Sequence, residues 1–428
     1  MESAGLVAIV LLFVFMLLSF PVFAAMGIAA FIGFVMVRGF EGAIATFGDM
    51  TWQSASIFEL VAIPLFIFTG VLVERIRAGV DLFELAKAWV GNVPNSLGVS
   101  TILACGVFAA ISGSSIACAA TVGVVAIPLL LREGYSEEQA GGFCAGGGTL
   151  GIIIPPSIPF ILYGVITETS IGQLFIAGIA PGILMLTLFG VYVMFSRPRV
   201  VNEVRHTWEE RWRATRSGLG IVFLPVLIIW AIYTGLFTPT EVGALSTVYV
   251  IVLGLAQRRL TLRLFLDSAG AATRTTCMLI MLVVFGQYFA HFLTFEQVPQ
   301  KIAGWITEFH GGHFVTVTLM IAVYVVLGMF LESAAMLLIT IPIFFPIAEA
   351  IGMDPITFGV FACVAMEIAQ ISPPVGINLY TIHGVSRIAL WRLAKGALPF
   401  LLIQVVMLYV IYYLPQLSLW LPAKMAHG

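Results

Sequence analysis

The chain has 428 residues, 60% of them apolar and only 10% charged, with a formal net charge of −2. Soluble domains carry about 25% charged residues, so this chain lacks the polar surface of a soluble globule and is read as a multi-pass membrane protein. The near-neutral balance points to no nucleic-acid partner, and the five scattered cysteines, none in a C-x-x-C pair, read as small apolar thiols inside helices.

The first apolar segment covers 6–37 and follows Glu2 without a preceding basic residue. It is longer than a signal-peptide core and reads as retained. As one helix it would be about 48 Å long against about 30 Å of hydrocarbon, so it must tilt, kink near Pro21 or Gly27, or begin as an interfacial helix. Further apolar segments follow at 52–73, 92–110, 115–131, 140–165, 173–195, 218–236, 240–256, 270–293, 314–331, 333–348, 356–381 and 397–420. Two neighbouring pairs are separated by almost nothing polar: 92–110 from 115–131 by "ISGS", and 314–331 from 333–348 around "LES". Each pair reads as a re-entrant hairpin, at about 92–131 and about 314–348. Non-helical backbone at membrane depth requires cover from protein or a wet cavity.

Between the halves lies an Arg-rich linker, 196–217, carrying Arg197, Arg199, Arg205, Arg211, Arg213 and Arg216. Placing it in the cytoplasm puts all but Arg38, Lys301 and Lys424 of the 20 Lys and Arg residues on that side, as the positive-inside rule expects. The second half repeats the first. At an offset of 218 residues, Pro128 falls on Pro346, Pro155 and Pro156 on Pro373 and Pro374, Pro181 on Pro399, and Ser115 on Ser333. An odd number of crossings separates the copies, so their orientations are opposite, a pattern of secondary transporters. The predicted division is 1–195 for the first inverted repeat, 196–217 for the linker and 218–428 for a linking helix and the second repeat.

Proline removes a helical hydrogen bond and glycine weakens the helix. "GGGTLGIIIPPSIP" (146–159) and "AMEIAQISPPVGIN" (365–378) therefore read as membrane helices broken near their middle, within 140–165 and 356–381. The first also matches G-x-G-x-x-G, but it leads into Pro-Pro in a membrane segment, which is the wrong context for a dinucleotide turn. Freed carbonyls suit a hard cation such as sodium. The tips "SGSS" (112–115) and "LESA" (331–334) add hydroxyls, and each begins a half-helix whose positive end suits a substrate carboxylate. Thr149, Ser157, Ser372 and Asn378 are either ligands or local hydrogen-bond partners. Glu332 and Glu367 are acids within membrane segments, suited to a cation site, an ion pair or hydrogen bonding as the neutral acid. No P-loop, H-E-x-x-H or G-x-S-x-G motif is present, so no enzyme is expected.

Several stretches resemble one family: "AIPLFIFTG" (62–70), "GNVPNSLGVSTILACGVFAAISGSSIA" (91–117), "AGGGTLGIIIPPSIPFILYG" (145–164), "LFIAGIAPGIL" (174–184), "TGLFTPTEVGA" (234–244), "GMFLESAAMLLITIPIFFPI" (328–347) and "EIAQISPPVGINLY" (367–380). They resemble the large membrane subunit of tripartite ATP-independent periplasmic (TRAP) transporters, with Glu332 where Asp is the commoner acid. The resemblance implies an all-α, inverted-repeat elevator transporter of the bacterial inner membrane. It implies sodium as coupling ion, no further cofactor, a small membrane subunit, a periplasmic binding protein and a small organic acid substrate (dicarboxylate, keto acid or sialic acid class). An ion-coupled elevator carrier of anions without a binding protein is the alternative. Carried onto this chain, a first sodium site would involve Ser112, Gly113, Ser114, Ser115, Gly147, Gly148, Thr149 and Pro155. A second would involve Glu332, Ser333, Gln370, Ser372, Pro373 and Asn378. Substrate would lie against Ser114, Ser115, Ser333 and Ala334.

Overall fold

The structure is a computed structural model that describes residues 2–91, 93–196, 207–308 and 312–425. Among these residues every regular element is helical, and nine helices are long and apolar enough to cross a membrane.

The apolar N-terminal run forms α1 (Glu2–Leu17) and α2 (Val22–Ala55), separated at Pro21. Of the two expected kink positions the proline is used. Gly27 stays helical and packs on Phe285, whose ring a Cβ would approach to 2.3 Å. A bend inside α2 falls at Gly39 (φ +75°). The expected segment 52–73 is not continuous: α2 ends at Ala55, one 3-10 turn covers Phe58–Val61, and α3 (Ala62–Arg75) follows. Pro64 explains the restart, because it lacks an N–H and its ring crowds the carbonyl four residues earlier. Two short helices, α4 (Ala78–Val90) and, later, α14 (Val298–Glu308), lie outside all the expected spans. Each carries too many charges for its length to stand out as an apolar run.

The first hairpin is α5 (Ser96–Ser112) and α6 (Ser115–Arg132), and the first broken element is α7 (Glu137–Gly148), α8 (Leu150–Ile153) and α9 (Ile158–Thr167). Then come α10 (Ile171–Phe195), α11 (Trp208–Tyr233), α12 (Pro239–Ala256) and α13 (Leu262–Phe295). The second hairpin is α15 (Gly312–Gly328) and α16 (Ser333–Ala350), followed by α17 (Pro355–Ile371), α18 (Ile377–Ser386) and α19 (Leu390–Tyr413). The Arg-rich linker is shorter than expected. A capping box between Thr207 and Glu210 starts α11 at Trp208, so Arg211, Arg213 and Arg216 lie on a helix. Arg197, Arg199 and Arg205 lie outside the described residues. The last expected segment, 397–420, stops at Tyr413 ahead of Pro415.

Helix boundaries follow the offset of 218 closely. α6 and α16 begin at Ser115 and Ser333, and α7 and α17 at Glu137 and Pro355. The turns between them hold Gly134 (φ +86°) and Gly352 (φ +76°), a left-handed conformation that glycine adopts freely. Ser136 and Asp354 then cap α7 and α17 through their side chains. Packing is crossed between the halves: α9 packs on α16 of the second hairpin, and α18 packs on α6 of the first. Around this body, α2 packs on α13, α3 on α12 and α13, and α4 on α11. Thr69 and Thr247 share a buried hydrogen bond of 2.9 Å, and Arg259 pairs with Asp81, which also accepts from Ser217 at 3.0 Å.

α7 and α19 approach each other backbone to backbone. A Cβ on Gly396 would lie 1.8 Å from the Glu138 carbonyl, and one on Gly142 would lie 2.3 Å from the Gly396 carbonyl. Backbones this close are the membrane form of small-residue packing. Gly396→Val must push the helices apart and is expected to cost about 1–3 kcal/mol or more, read as a lower thermal midpoint in detergent. Gly384→Val, where nothing lies within 4 Å, is the comparison and should leave the midpoint nearly unchanged.

Candidate functional site

The two breaks are built alike. The first falls at Ile154–Ser157, where Ile154 leaves helical geometry (φ −83°, ψ 119°) and Pro155-Pro156 is a cis peptide. The second falls at Ser372–Gly376, with Pro373-Pro374 also cis. The glycine run is not where the first helix parts. α7 and α8 carry helix through Gly146, Gly147 and Gly148 almost to the prolines. The three glycines instead admit neighbours on three sides. Cβ atoms there would meet the Phe400 ring at 2.3 Å, Cys105 Sγ at 2.8 Å and Ala119 Cβ at 2.8 Å. The prolines break the helix, and the glycines let the hairpin approach it.

The first tip sits directly on the first break. Gly113 caps α5 in left-handed geometry (φ +59°), and a Cβ there would lie 2.7 Å from the Pro156 carbonyl oxygen. Ser114 is extended and caps α6, accepting from the Ala117 amide at 3.3 Å. Its carbonyl faces Gly151, and the Ser115 carbonyl faces Gly148 at 3.2 Å from a built Cβ. Carbonyl oxygens of Ser114, Ser115 and Pro156 thus lie along the contact between hairpin and broken helix, that of Ser114 also accepting from the Cys118 amide at 3.0 Å. Ser157 is buried, with its hydroxyl unpartnered. Thr149 is fully buried, and its hydroxyl donates to the Gly146 carbonyl at 2.6 Å while accepting from Gln404. Pro155 is buried.

At the second tip, Glu332 occupies the N-cap of α16 without capping it through its side chain. Ser333 accepts from Gln370 Nε2 at 2.9 Å, which ties the tip to α17. Gln370 Oε1 is buried and unpartnered. Asn378 is fully buried with both side-chain polar atoms unpartnered. Ser372 bonds locally, donating to the Ile368 carbonyl at 2.7 Å. Gly376 (φ +48°) leaves a recess in which a Cβ would stand 3.0 Å from both the Gln370 and Ser372 carbonyl oxygens. The copies differ in cover: Pro155 and Pro156 are buried, whereas Pro373 and Pro374 are exposed. The first break lies under α10, where a Cβ on Gly178 would touch the Ile153 carbonyl at 2.6 Å.

The first tip thus meets the first broken helix at Gly113 against Pro156 and Ser115 against Gly148, with Gly147 packed farther along the hairpin on Cys105, and the second tip meets the second broken helix through Ser333 and Gln370. Ala334 lies buried in the first turn of α16 beside Ser333. Three residues at these junctions were not among the predicted site residues: Gly151, Gly376 and Gln404. Gln404 is a lone amide within the apolar helix α19 and is completely buried, so its polarity in a membrane span was the available signal.

Among the described residues, nine apolar spans, two tight hairpins and two broken helices with orphaned polar groups at the breaks define a polytopic membrane transporter. Its overall fold is similar to that of the YdaH transporter of Alcanivorax borkumensis, with a TM-score of 0.59 at 15% identity over 90% of this chain and 89% of that one. The chain belongs to the DctM component family of tripartite ATP-independent periplasmic transporters, whose model matches residues 9–417. It is similar to the C4-dicarboxylate TRAP transporter large permease protein DctM of Pseudomonas aeruginosa, at 38% identity over 87% of this chain and 88% of that protein. It is also similar to the ectoine/5-hydroxyectoine TRAP transporter large permease protein UehC of Ruegeria pomeroyi, at 33% identity over 95% of this chain and 96% of that protein. The chain is thus a TRAP large permease subunit, a multi-pass protein of the bacterial inner membrane and not an enzyme.

Proposed function

We propose that this permease couples sodium entry to uptake of a small organic acid by an elevator movement. The observation that carries this reading is the orphaned oxygen chemistry at each break. Ser157, Gln370 and Asn378 hold buried polar atoms without partners, the Pro156 carbonyl faces Gly113, and the Gln370 and Ser372 carbonyls face Gly376. Buried polar groups are normally satisfied, so a missing partner is expected there. Oxygen-rich surroundings suit a hard monovalent cation, which here is a transported species. On this reading the first ion is held at Ser112–Ser115, Gly147, Gly148, Thr149 and Pro155, and the second at Glu332, Ser333, Gln370, Ser372, Pro373 and Asn378.

The substrate carboxylate would lie between the tips, against Ser114, Ser115, Ser333 and Ala334. The N-terminus of α6 is the better anion site, because Glu332 already places a carboxyl at the N-terminus of α16. Relatives named for C4-dicarboxylates and for ectoine support a small, charged organic substrate. The hairpins and broken helices, interlocked by α9 on α16 and α18 on α6, form the body that would move against the helices around α2, α3, α12 and α13.

The family description specifies a tripartite, periplasmic and ATP-independent system, which supports two partners: a small membrane subunit and a periplasmic substrate-binding protein. Uptake into proteoliposomes, with and without the candidate binding protein, tests this directly. Dependence on all three components is the expected result. Full uptake by the permease alone would favour an ion-coupled elevator anion carrier that works without a binding protein.

A further inference from the structure

Helix α19 runs along the first broken helix as one seam. Gly396, Phe400 and Gln404, spaced four residues apart on one face of α19, meet Gly142, Gly146 and Thr149 in turn. The first contact is backbone on backbone, and the second is a ring over a glycine. The third is polar: Gln404 Nε2 donates to Thr149 Oγ1, and both residues are fully buried. Thr149 is the C-cap of α7, immediately before α8. Gly148 and Gly151 lie on another face of the same helix and meet Ser115 and Ser114 of the first tip. The end of α7 is thus clamped between α19 and the hairpin.

Stability does not account for the amide. Gln404 Oε1 is buried without a partner among the described residues, so the side chain carries an unsatisfied polar atom into an apolar membrane helix. The other repeat holds the apolar option: the offset of 218 places Gln404 opposite Leu186, which packs over Gly106. What the amide gains is control of one hydroxyl. A threonine hydroxyl has one proton and two lone pairs. The Thr149 proton goes to the Gly146 carbonyl at 2.6 Å, and Gln404 takes one lone pair. The rotation of the hydroxyl is then fixed, with one lone pair to spend.

We infer that Gln404 is a positioning residue of the first cation site, holding the Thr149 hydroxyl so that its remaining lone pair serves the ion. This deepens the sodium reading above and rests on it. Groups that orient a ligand from behind set metal affinity without touching the metal. The two sites are then unequal: an amide steadies the first break from α19, and Leu186, its counterpart in α10, has no hydrogen bond to offer.

The test is equilibrium binding of radiolabelled sodium to the purified permease in lipid nanodiscs, with potassium holding ionic strength constant. The variants are Gln404→Leu, Thr149→Val, the two combined, and Thr149→Ser. Saturable binding by the parent, weakened about tenfold in Gln404→Leu and in Thr149→Val, is the expected result. The double variant should bind no more weakly than Thr149→Val, because both changes break one hydrogen bond to one ligand. Thr149→Ser keeps the hydroxyl and should bind as the parent does. Parent affinity in Gln404→Leu or in Thr149→Val overturns the assignment and leaves the sodium reading standing, even where the thermal midpoint falls, since packing alone then explains the seam. Losses that multiply in the double variant overturn it too, as does a loss in Thr149→Ser equal to that in Thr149→Val. Absence of sodium binding by the parent overturns the sodium reading and the assignment with it. If Gln404→Leu or Thr149→Val does not yield monodisperse protein, Gln404→Met or Thr149→Ala replaces it under the same expectations.

Discussion

Asn378→Leu will raise the thermal midpoint of the permease in sodium-free buffer and lower its stabilisation by sodium. The two effects have opposite signs because they come from different states. Without an ion, Asn378 is a fully buried amide with neither polar atom satisfied. An unsatisfied buried group costs about 1–3 kcal/mol, and leucine of similar size removes that cost. With an ion in the proposed second site, the amide oxygen would be a ligand, and stabilisation from that site should follow mass action, about 2.7 kcal/mol at a hundredfold excess over the dissociation constant. Leucine offers no ligand, so the part of the sodium response that comes from the second site should disappear. The measurement is a thermal melt with and without sodium at constant ionic strength. A variant that is stabilised yet still responds fully to sodium would remove Asn378 from the second site.

Gly113→Ala and Gly376→Ala are expected to have the next largest effects, each at its own site. Both glycines have positive φ, +59° and +48°, where a Cβ costs about 1–2 kcal/mol. Conformational cost alone would lower stability without selectivity for sodium. Position adds the selectivity. The new methyl would stand 2.7 Å from the Pro156 carbonyl in one case and 3.0 Å from the Gln370 and Ser372 carbonyls in the other. Those oxygens must turn away or be covered, so each variant should lose sodium affinity by about tenfold or more. Gly48→Ala, at a position with nothing within 4 Å of a built Cβ, is the control and should bind sodium as the parent does. Sodium binding by Gly113→Ala and Gly376→Ala that matches the control would contradict the placement of the ions at the breaks.

The plan of the molecule was readable because its main punctuation is local. Pro155-Pro156 and Pro373-Pro374, the polar tips around Ser114 and Ser333, and the offset of 218 all act through backbone chemistry that single residues impose. The starts of α6, α7, α16 and α17 fall within this register. The glycine run was harder to read. Gly146, Gly147 and Gly148 weaken a helix in isolation, yet here they remain helical because Phe400, Cys105 and Ala119 fill the space they leave. Tertiary packing overrides propensity at that point. α4 and α14 went unseen because they are short and amphipathic. At the breaks, Gln404 acts through a partner distant in sequence, Thr149, and Gly376 through a local recess between the Gln370 and Ser372 carbonyls that only the folded turn creates. The crossed packing of α9 on α16 and of α18 on α6 was implied by the repeat only as symmetry and not as contact.

The account stands on sodium being the driving ion. The most direct test is substrate uptake into proteoliposomes holding the permease with its small membrane subunit, with the binding protein outside and an ion gradient imposed. An inward sodium gradient should drive accumulation, and collapsing it should stop accumulation even when a proton gradient is kept. Accumulation that persists without sodium and follows the proton gradient would contradict the account.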